Sequence, residues 1–562
     1  MAGSDEFSFT LSSKHFGFEE GQVRLNAYLN AKTMVGQGVL PDGQRLSWSA
    51  KRLLPEDRSA KEQKLLEAIS LNPVDQYPAG AYPGKLPGMN LRKRRVFIEN
   101  ATIWTCGPRG ILTNANVVIE DGRIIAIGSE VQAPKRSYTI DGKGKHITPG
   151  LVDCHSHTAI SRGVNEGSHA VTCEVRIGDV LDPTDISIYR QLAGGLTTAN
   201  LLHGSANPMG GQSQVIKLRW GHDAEGLKLI GAKPGVKFAL GENVKQSNWG
   251  SRSNNRYPQS RMGVEQLMRD TFLAAREYGE RKQHHAEQEK AVPFRSDFRL
   301  DAVLEILRGE RIVHIHSYRQ DEILMFVRLA QEFGFTVGTF QHVLEGYEVA
   351  RHLREINAGA STFSDWWAYK FEVYDAIPYN GALLHSAGVI TSFNSDDNEL
   401  ATRMNTEAAK AVKYGGVSPE EALKFVTINP AKQLRIANRI GSLEEGKDAD
   451  FVVWSGPPLS TLSRCEQTWI DGVPYFQRSS QTKRRQWVEV ERRRLVGKIL
   501  KESEGSEKED KPKDDKAEET QSIAERLRLL SPWGQYQQID YQSLYHDGQS
   551  LHACTGCYCE FR

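Results

Sequence analysis

Lys145-His146-Ile147-Thr148-Pro149-Gly150-Leu151-Val152-Asp153-Cys154-His155-Ser156-His157 is the stretch whose reading decides the fold. A Pro-Gly breaker precedes a short apolar run, Leu151-Val152, and two histidines follow at i, i+2. In an extended strand that spacing points both imidazoles to the same side, as a chelating pair requires. Neutral imidazole is the commonest nitrogen ligand for zinc and its neighbours, yet two ligands do not hold a catalytic ion. The pair taken alone is equally compatible with two strand histidines that bind nothing, so the test lies in the rest of the chain.

The chain has 562 residues, enough for one large barrel with accessory regions. Lys and Arg number 71 against 70 Asp and Glu, a net charge of +1, so no global field points to nucleic acid or an anionic membrane. A small-molecule substrate is expected. The N-terminus lacks a basic segment followed by an apolar one, and no run approaches the roughly 18 apolar residues of a membrane span, which suggests a cytoplasmic protein. Of seven cysteines, Cys106, Cys154, Cys173 and Cys465 are scattered, unlike a secreted disulfide framework.

Outward from the histidine pair, residues 96–150 read as a small β region. Val96 to Trp104 alternates, and Ala115 to Gly128 is two β-rich runs about Asp121-Gly122. Residues 151–438 alternate apolar strands with helices. The strands fall at Leu151 to Cys154, Thr197 to Leu202, Val236 to Leu240, Arg311 to Ile315, Thr336 to Phe340, Ala360 to Phe363 and Val389 to Phe393. That repetition predicts a parallel β/α architecture, and a closed TIM barrel is its usual form at this length. Residues 439–480 carry two further strands about Asp450 to Trp454 and Asp471-Gly472, expected to complete the β region from the other flank as a composite β-sandwich. Residues 1–95 are a breaker-rich extension with a helical pattern only at Ala60 to Ile69. Residues 481–520 are a basic segment and a charged linker, disordered by composition over 501–520, and 521–562 a C-terminal segment with a Cys-rich tail.

In a β/α barrel the chemistry sits at the C-terminal ends of the strands. Here those ends carry His314-Ile315-His316, Gln341-His342, Asn394-Ser395-Asp396-Asp397 and Gly241-Glu242-Asn243. Four strand ends offering His, Asp or Glu beside the opening pair favour a metal site. By period two His314 shares the His316 side but lies deeper, as a core or supporting histidine.

With these residues the chain resembles the amidohydrolase superfamily of metal-dependent hydrolases, nearest to its imidazolonepropionase-like branch. The resemblance spans about residues 96–480 and rests on Thr148 to His157, Gly195-Leu196-Thr197-Thr198, Ser395-Asp396, Asn429-Pro430-Ala431 and Gly441 to Val453. It implies a (β/α)8 barrel with the composite sandwich, and ligands at His155 and His157, His316, His342 and Asp396. It also implies that Asp396 shuttles protons, and that His342 binds a second metal or steadies an oxyanion. Many relatives bridge two metals with a carboxylated lysine or a glutamate from the third or fourth strand, and Glu242, flanked by Lys237 and Lys245, is the candidate for that place. One or two divalent ions are implied, zinc first, with iron or manganese as alternatives, in a homo-oligomer.

Barrel-top loops would supply substrate contacts from His203, Asn207, Arg319, Trp366 and Trp367. Each has a plainer role available: Asn207 in a glycine-rich turn, Arg319 pairing with Asp321 or Glu322, the tryptophans packing. The tail His552-Ala553-Cys554-Thr555-Gly556-Cys557-Tyr558-Cys559 offers four soft ligands, His552, Cys554, Cys557 and Cys559, at a spacing tighter than usual zinc pairs. It and the N-terminal extension could dock a partner protein. The expected function is hydrolysis of a carbon-nitrogen bond in a cyclic amide, an imide or a peptide-like amide by metal-activated water. Deamination of a nitrogen ring is a same-class rival, and a non-catalytic scaffold acting through the extensions is the rival from another class.

Overall fold

The computed structural model describes residues 6–12, 22–30, 33–51, 95–161, 163–288, 293–366 and 369–509. Contacts divide the chain into Met1–Ala79 and Gly80–Arg562. The first unit holds four strands, β1 (Glu6–Ser12), β2 (Gln22–Asn30), β3 (Thr33–Val39) and β4 (Arg45–Lys51), paired in sequence order as an antiparallel sheet. The sequence reading saw no strand here. The signal is the alternation in Val23-Arg24-Leu25-Asn26, whose Val23 and Leu25 are buried. The helical pattern at Ala60 to Ile69 lies outside the described residues.

In the second unit, β5 (Arg95–Trp104), β6 (Ile111–Glu120), β7 (Arg123–Gly128), β8 (Tyr138–Asp141) and β9 (His146–Pro149) precede the histidine strand β10 (Leu151–Ser156). Then come β11 (Leu196–Leu201), β12 (Met209–Gln212), β13 (Gln214–Lys217), β14 (Gly235–Ala239), β15 (Ile312–His316), β16 (Val337–His342), β17 (Gly359–Thr362) and β18 (Ile390–Phe393). The chain returns through β19 (Phe451–Trp454), β20 (Cys465–Ile470) and β21 (Val473–Gln477). Strands from both flanks share one eight-stranded sheet, in which β9 pairs antiparallel with β19. Ile98, Ile103, Ile147, Phe451, Val453 and Trp469 are among the buried residues that hold it together.

Strands β14 to β18 run parallel in sequence order, and β10 pairs parallel with β11. The ladders form two sheets rather than one continuous ring, with β12 antiparallel on the β14 edge. That strand was absent from the sequence reading because Gly210 and Gly211 gave the segment the texture of a loop. Every residue of β10 is buried, as expected of a parallel strand covered on both faces. Gly150, just before it, has no room for a side chain: a Cβ there would fall 2.1 Å from Thr197 Oγ1 on β11. Between strands, helices such as Gln320–Phe333 bury an apolar face of Ile323, Phe326, Val327 and Ala330 and stop at Gly334, whose φ is +72°.

The charged stretch after β21 differs from expectation. Arg478–Glu509 is a single helix, so residues 501–509 of the segment read as disordered are helical. Its i,i+3 pair Glu491–Arg494 supports a helix that composition alone argued against. The Cys-rich tail lies outside the described residues. Among the described residues no helix is long and apolar enough to cross a membrane.

Candidate metal centre

Period two along β10 sends His155 and His157 to one side, and their Nε2 atoms lie 3.3 Å apart. Asp396, just beyond β18, places Oδ1 at 3.2 Å from His155 Nε2 and 3.0 Å from His157 Nε2. Among the described residues these three form the group whose ligand atoms fall within 4.8 Å of one another. His157 Nδ1 is 2.9 Å from the Leu202 carbonyl, which fixes the proton on Nδ1 and leaves Nε2 as a lone pair.

Two more strands close on the same point. His342, at the end of β16, brings Nε2 to 3.3 Å from Asp396 Oδ2, and its ring centroid lies 4.4 Å from that of His155. His316, ending β15, stands edge-on to His342 with centroids 4.9 Å apart. Burial dominates the protonation of all three: His155, His316 and His342 are held well below the ordinary imidazole value, helped by Lys237 and His157 at His155, by His342 at His316 and by His155 at His342. They are neutral and fit to donate lone pairs. Both ring nitrogens of His316 and of His342, and Asp396 Oδ1, are buried without a hydrogen-bond partner, although several neighbours approach within 3.3 Å. Buried polar atoms that converge yet do not bond one another fit a cation held among them.

A further group here is one that the sequence reading named only as a flank of Glu242. Lys237, midway along β14 and fully buried, places Nζ 3.3 Å from His155 Nε2. Glu242 does not reach the cluster. It sits in the turn after β14, only partly buried, with its backbone N–H donating to Glu372 Oε2 at 2.9 Å. The turn carries Glu242 past the rim, whereas the pleat aims Lys237 inward beside His314 of β15. A lysine inside the otherwise apolar Val236-Lys237-Phe238-Ala239 was the available signal, since a buried lysine needs a partner. His314 lies below the rim, its Nδ1 3.3 Å from Thr339 Oγ1, as a supporting core histidine.

The expected substrate residues are otherwise engaged. His203 has Nδ1 at 2.8 Å from the Gly204 carbonyl and accepts from Glu166 N at 2.8 Å, and burial pushes it down to about 4. Asn207 Nδ2 donates to the Glu166 and His169 carbonyls and to Thr172 Oγ1 at 2.6, 2.9 and 2.8 Å. Both brace the loop about residues 164–172. Arg319 is partly exposed and pairs with Asp321 at 3.1 Å. Trp366 stacks on Phe363 at 4.0 Å, and Phe363 stacks on His342 at 4.8 Å, so the tryptophan supports the His342 ring from behind. Tyr318, whose ring lies 4.5 Å from His316, is a second aromatic neighbour that the sequence reading missed. Trp367 lies outside the described residues.

Comparison with known proteins gives the family. The sequence model of the amidohydrolase family matches residues 375–483. The crystal structure of an amidohydrolase from Thermotoga maritima MSB8 is 33% identical, with a TM-score of 0.63 over 68% of this chain and 100% of that one. The chain belongs to the amidohydrolase family. Amidohydrolase tasK of Hapsidospora irregularis is 31% identical over 481 residues, 76% of this chain, and the match spans 48% of tasK, about half its length. An imidazolonepropionase from Fusobacterium nucleatum subsp. nucleatum is 25% identical over 387 residues, covering 62% of this chain and 87% of that protein. The cluster lies at the C-terminal ends of β10, β15 and β16 and just past β18.

Proposed function

We propose that the chain is a metal-dependent hydrolase of a carbon-nitrogen bond in a cyclic amide, an imide or a peptide-like amide. The observation that carries this reading is the convergence of His155, His157 and Asp396 within 4.8 Å, with His316, His342 and Lys237 closing around them. Nitrogen and carboxylate donors of this kind suit zinc, with iron or manganese as alternatives. His155, His157 and Asp396 would hold the ion, and His316 and His342, with Lys237 once its Nζ is carboxylated, would extend the set to a second. When bound, such an ion polarises a carbonyl and lowers the pKa of water toward neutrality. Asp396 takes the proton of the attacking water and returns it to the leaving nitrogen, a role that needs the carboxylate ionised at the start of the cycle. The Phe363–Trp366 stack holds the His342 ring in place with Nε2 3.3 Å from Asp396 Oδ2, where His342 would bind a second ion or steady the developing oxyanion. The same reading closes the two sheets about β10 to β18 into a barrel, and folds the eight-stranded sheet on itself as a sandwich.

The experiment is metal analysis of the purified chain beside a panel of cyclic amides, imides and peptide-like amides, scored for ring-opened or free carboxylate against ammonia. Stoichiometric divalent metal with carboxylate release supports the reading. Ammonia release from an amino-substituted ring would move the chain to deamination, and activity without metal would sink the proposal.

A further inference from the structure

The ligands come from strands that the ladders leave apart: among the described residues no ladder joins β10 to β18, although His155 and His157 lie on or just past one and Asp396 just past the other. Lower down, residues 425 and 426 span the gap, Val426 O accepting from Val152 N at 2.9 Å and Phe425 O from Phe393 N at 3.0 Å. At the level of the ligands the Asp153 side chain does so, and past both strand ends Thr158 Oγ1 also donates to Asn398 Oδ1 at 2.6 Å. Asp153 is fully buried, its Oδ1 accepting from His155 N at 3.1 Å and from Ser395 N at 3.2 Å, its Oδ2 from Ser395 Oγ at 2.5 Å. Asp396 N in turn donates to the His155 carbonyl at 3.1 Å.

Resting on the metal-hydrolase reading, we propose that Asp153 is a positioning residue for the centre: its carboxylate laces the backbone of His155 to Ser395 and so sets the distance from the histidine pair to Asp396. Asp396 has a φ of +48°, a left-handed conformation that costs most side chains energy and Asp less than most. Ser395, held at its amide and its hydroxyl by Asp153, is the residue immediately before that bend. Asp153 faces away from any ligand role. Its two oxygens are spent on backbone and hydroxyl donors, so its influence reaches the ion through the placing of others.

The test is zinc titration of the chelator-stripped full chain against a competing chromophoric chelator, with thermal melting of the apo protein alongside. Ser395→Ala removes one of the three bonds, together with the long 3.4 Å contact that Ser395 Oγ accepts from Asp397 N, and leaves the apolar core untouched; it is expected to raise the zinc Kd about 10-fold in an apo protein that still melts cooperatively. Asp153→Ala is expected to raise it about 100-fold. Asp153→Asn keeps an oxygen for the two amides and a nitrogen to donate to Ser395 Oγ, and is expected to bind close to wild type. Wild-type zinc affinity in folded Ser395→Ala overturns the proposal, and so does an Asp153→Asn protein as impaired as Asp153→Ala, because charge rather than placement would then be what matters. Should Asp153→Ala fail to fold, Ser395→Ala decides. A wild-type chain that binds no zinc would instead overturn the metal-hydrolase reading itself.

Discussion

Residues at the centre divide by what they give up when replaced. His155→Ala and His157→Ala each remove a lone pair aimed at the cluster and are expected to lose both bound metal and turnover, read by elemental analysis and product release. Asp396→Asn keeps an oxygen donor but cannot take a proton, so it is expected to retain much of its metal while turnover falls about 10²–10⁴-fold. Glu242→Gln should leave the metal content unchanged, whereas Lys237→Met should lower it; the reverse pattern in the same assay would restore Glu242 to the set. His203 supplies a pH test. Its imidazole is depressed from 6.5 to about 4 because the folded chain buries it neutral. Below pH 6.5 the unfolded chain takes up the proton first, so stability is lost as pH falls from 6.5 towards 4. His203→Gln, which keeps an acceptor for Glu166 N, should flatten the fall in the unfolding free energy read by urea titration over that window by up to about 3 kcal/mol. An unchanged slope would mean that His203 is not held neutral by the fold.

Elements were legible where pattern and environment agreed. Helix Gln320–Phe333 falls where the alternation of strands and helices places one, and its apolar stripe and the following glycine point the same way. The strands ending in His316, His342 and Asp396 were found because packing alone rarely closes one short apolar run after another with a metal-ligating side chain. Lys237 was not, because periodicity marks a strand and says nothing of what the far wall of the same cavity holds. Strand β12 was hidden by its glycines, and β1 to β4 by the breakers around them. One contact between elements was beyond sequence reading altogether. Lys217, on β13, reaches Asp448 at 2.8 Å, Asp450 at 3.0 Å and Asp471 at 2.6 Å, carboxylates next to β19 and β20. Burial alone would lower the Lys217 ammonium; the three carboxylates outweigh it and hold it above its ordinary value. Lys217→Met strips those carboxylates of their shared cation and is expected to destabilise the second unit by about 3–5 kcal/mol in denaturant unfolding. A loss under about 1 kcal/mol would mean that water or the neighbouring arginines Arg219 and Arg439 already balance the site.

At the scale of the whole molecule, the chain commits about 300 residues to bringing a handful of side chains to one rim and uses its flanks to build a single sheet beside it, β9 meeting β19 across the sequence. That plan was visible because both flanks carry strand patterns with Asp-Gly turns. What the sequence withheld was the seam between β10 and β18, and with it Asp153 and Ser395, since hydrogen bonds across 242 residues leave no local trace. The measurement that tests the centre most directly is anomalous diffraction at the zinc edge from crystals of the zinc-loaded chain. The account predicts a peak in contact with His155 Nε2, His157 Nε2 and Asp396 Oδ1. A zinc-replete crystal with no peak among those three atoms would contradict it.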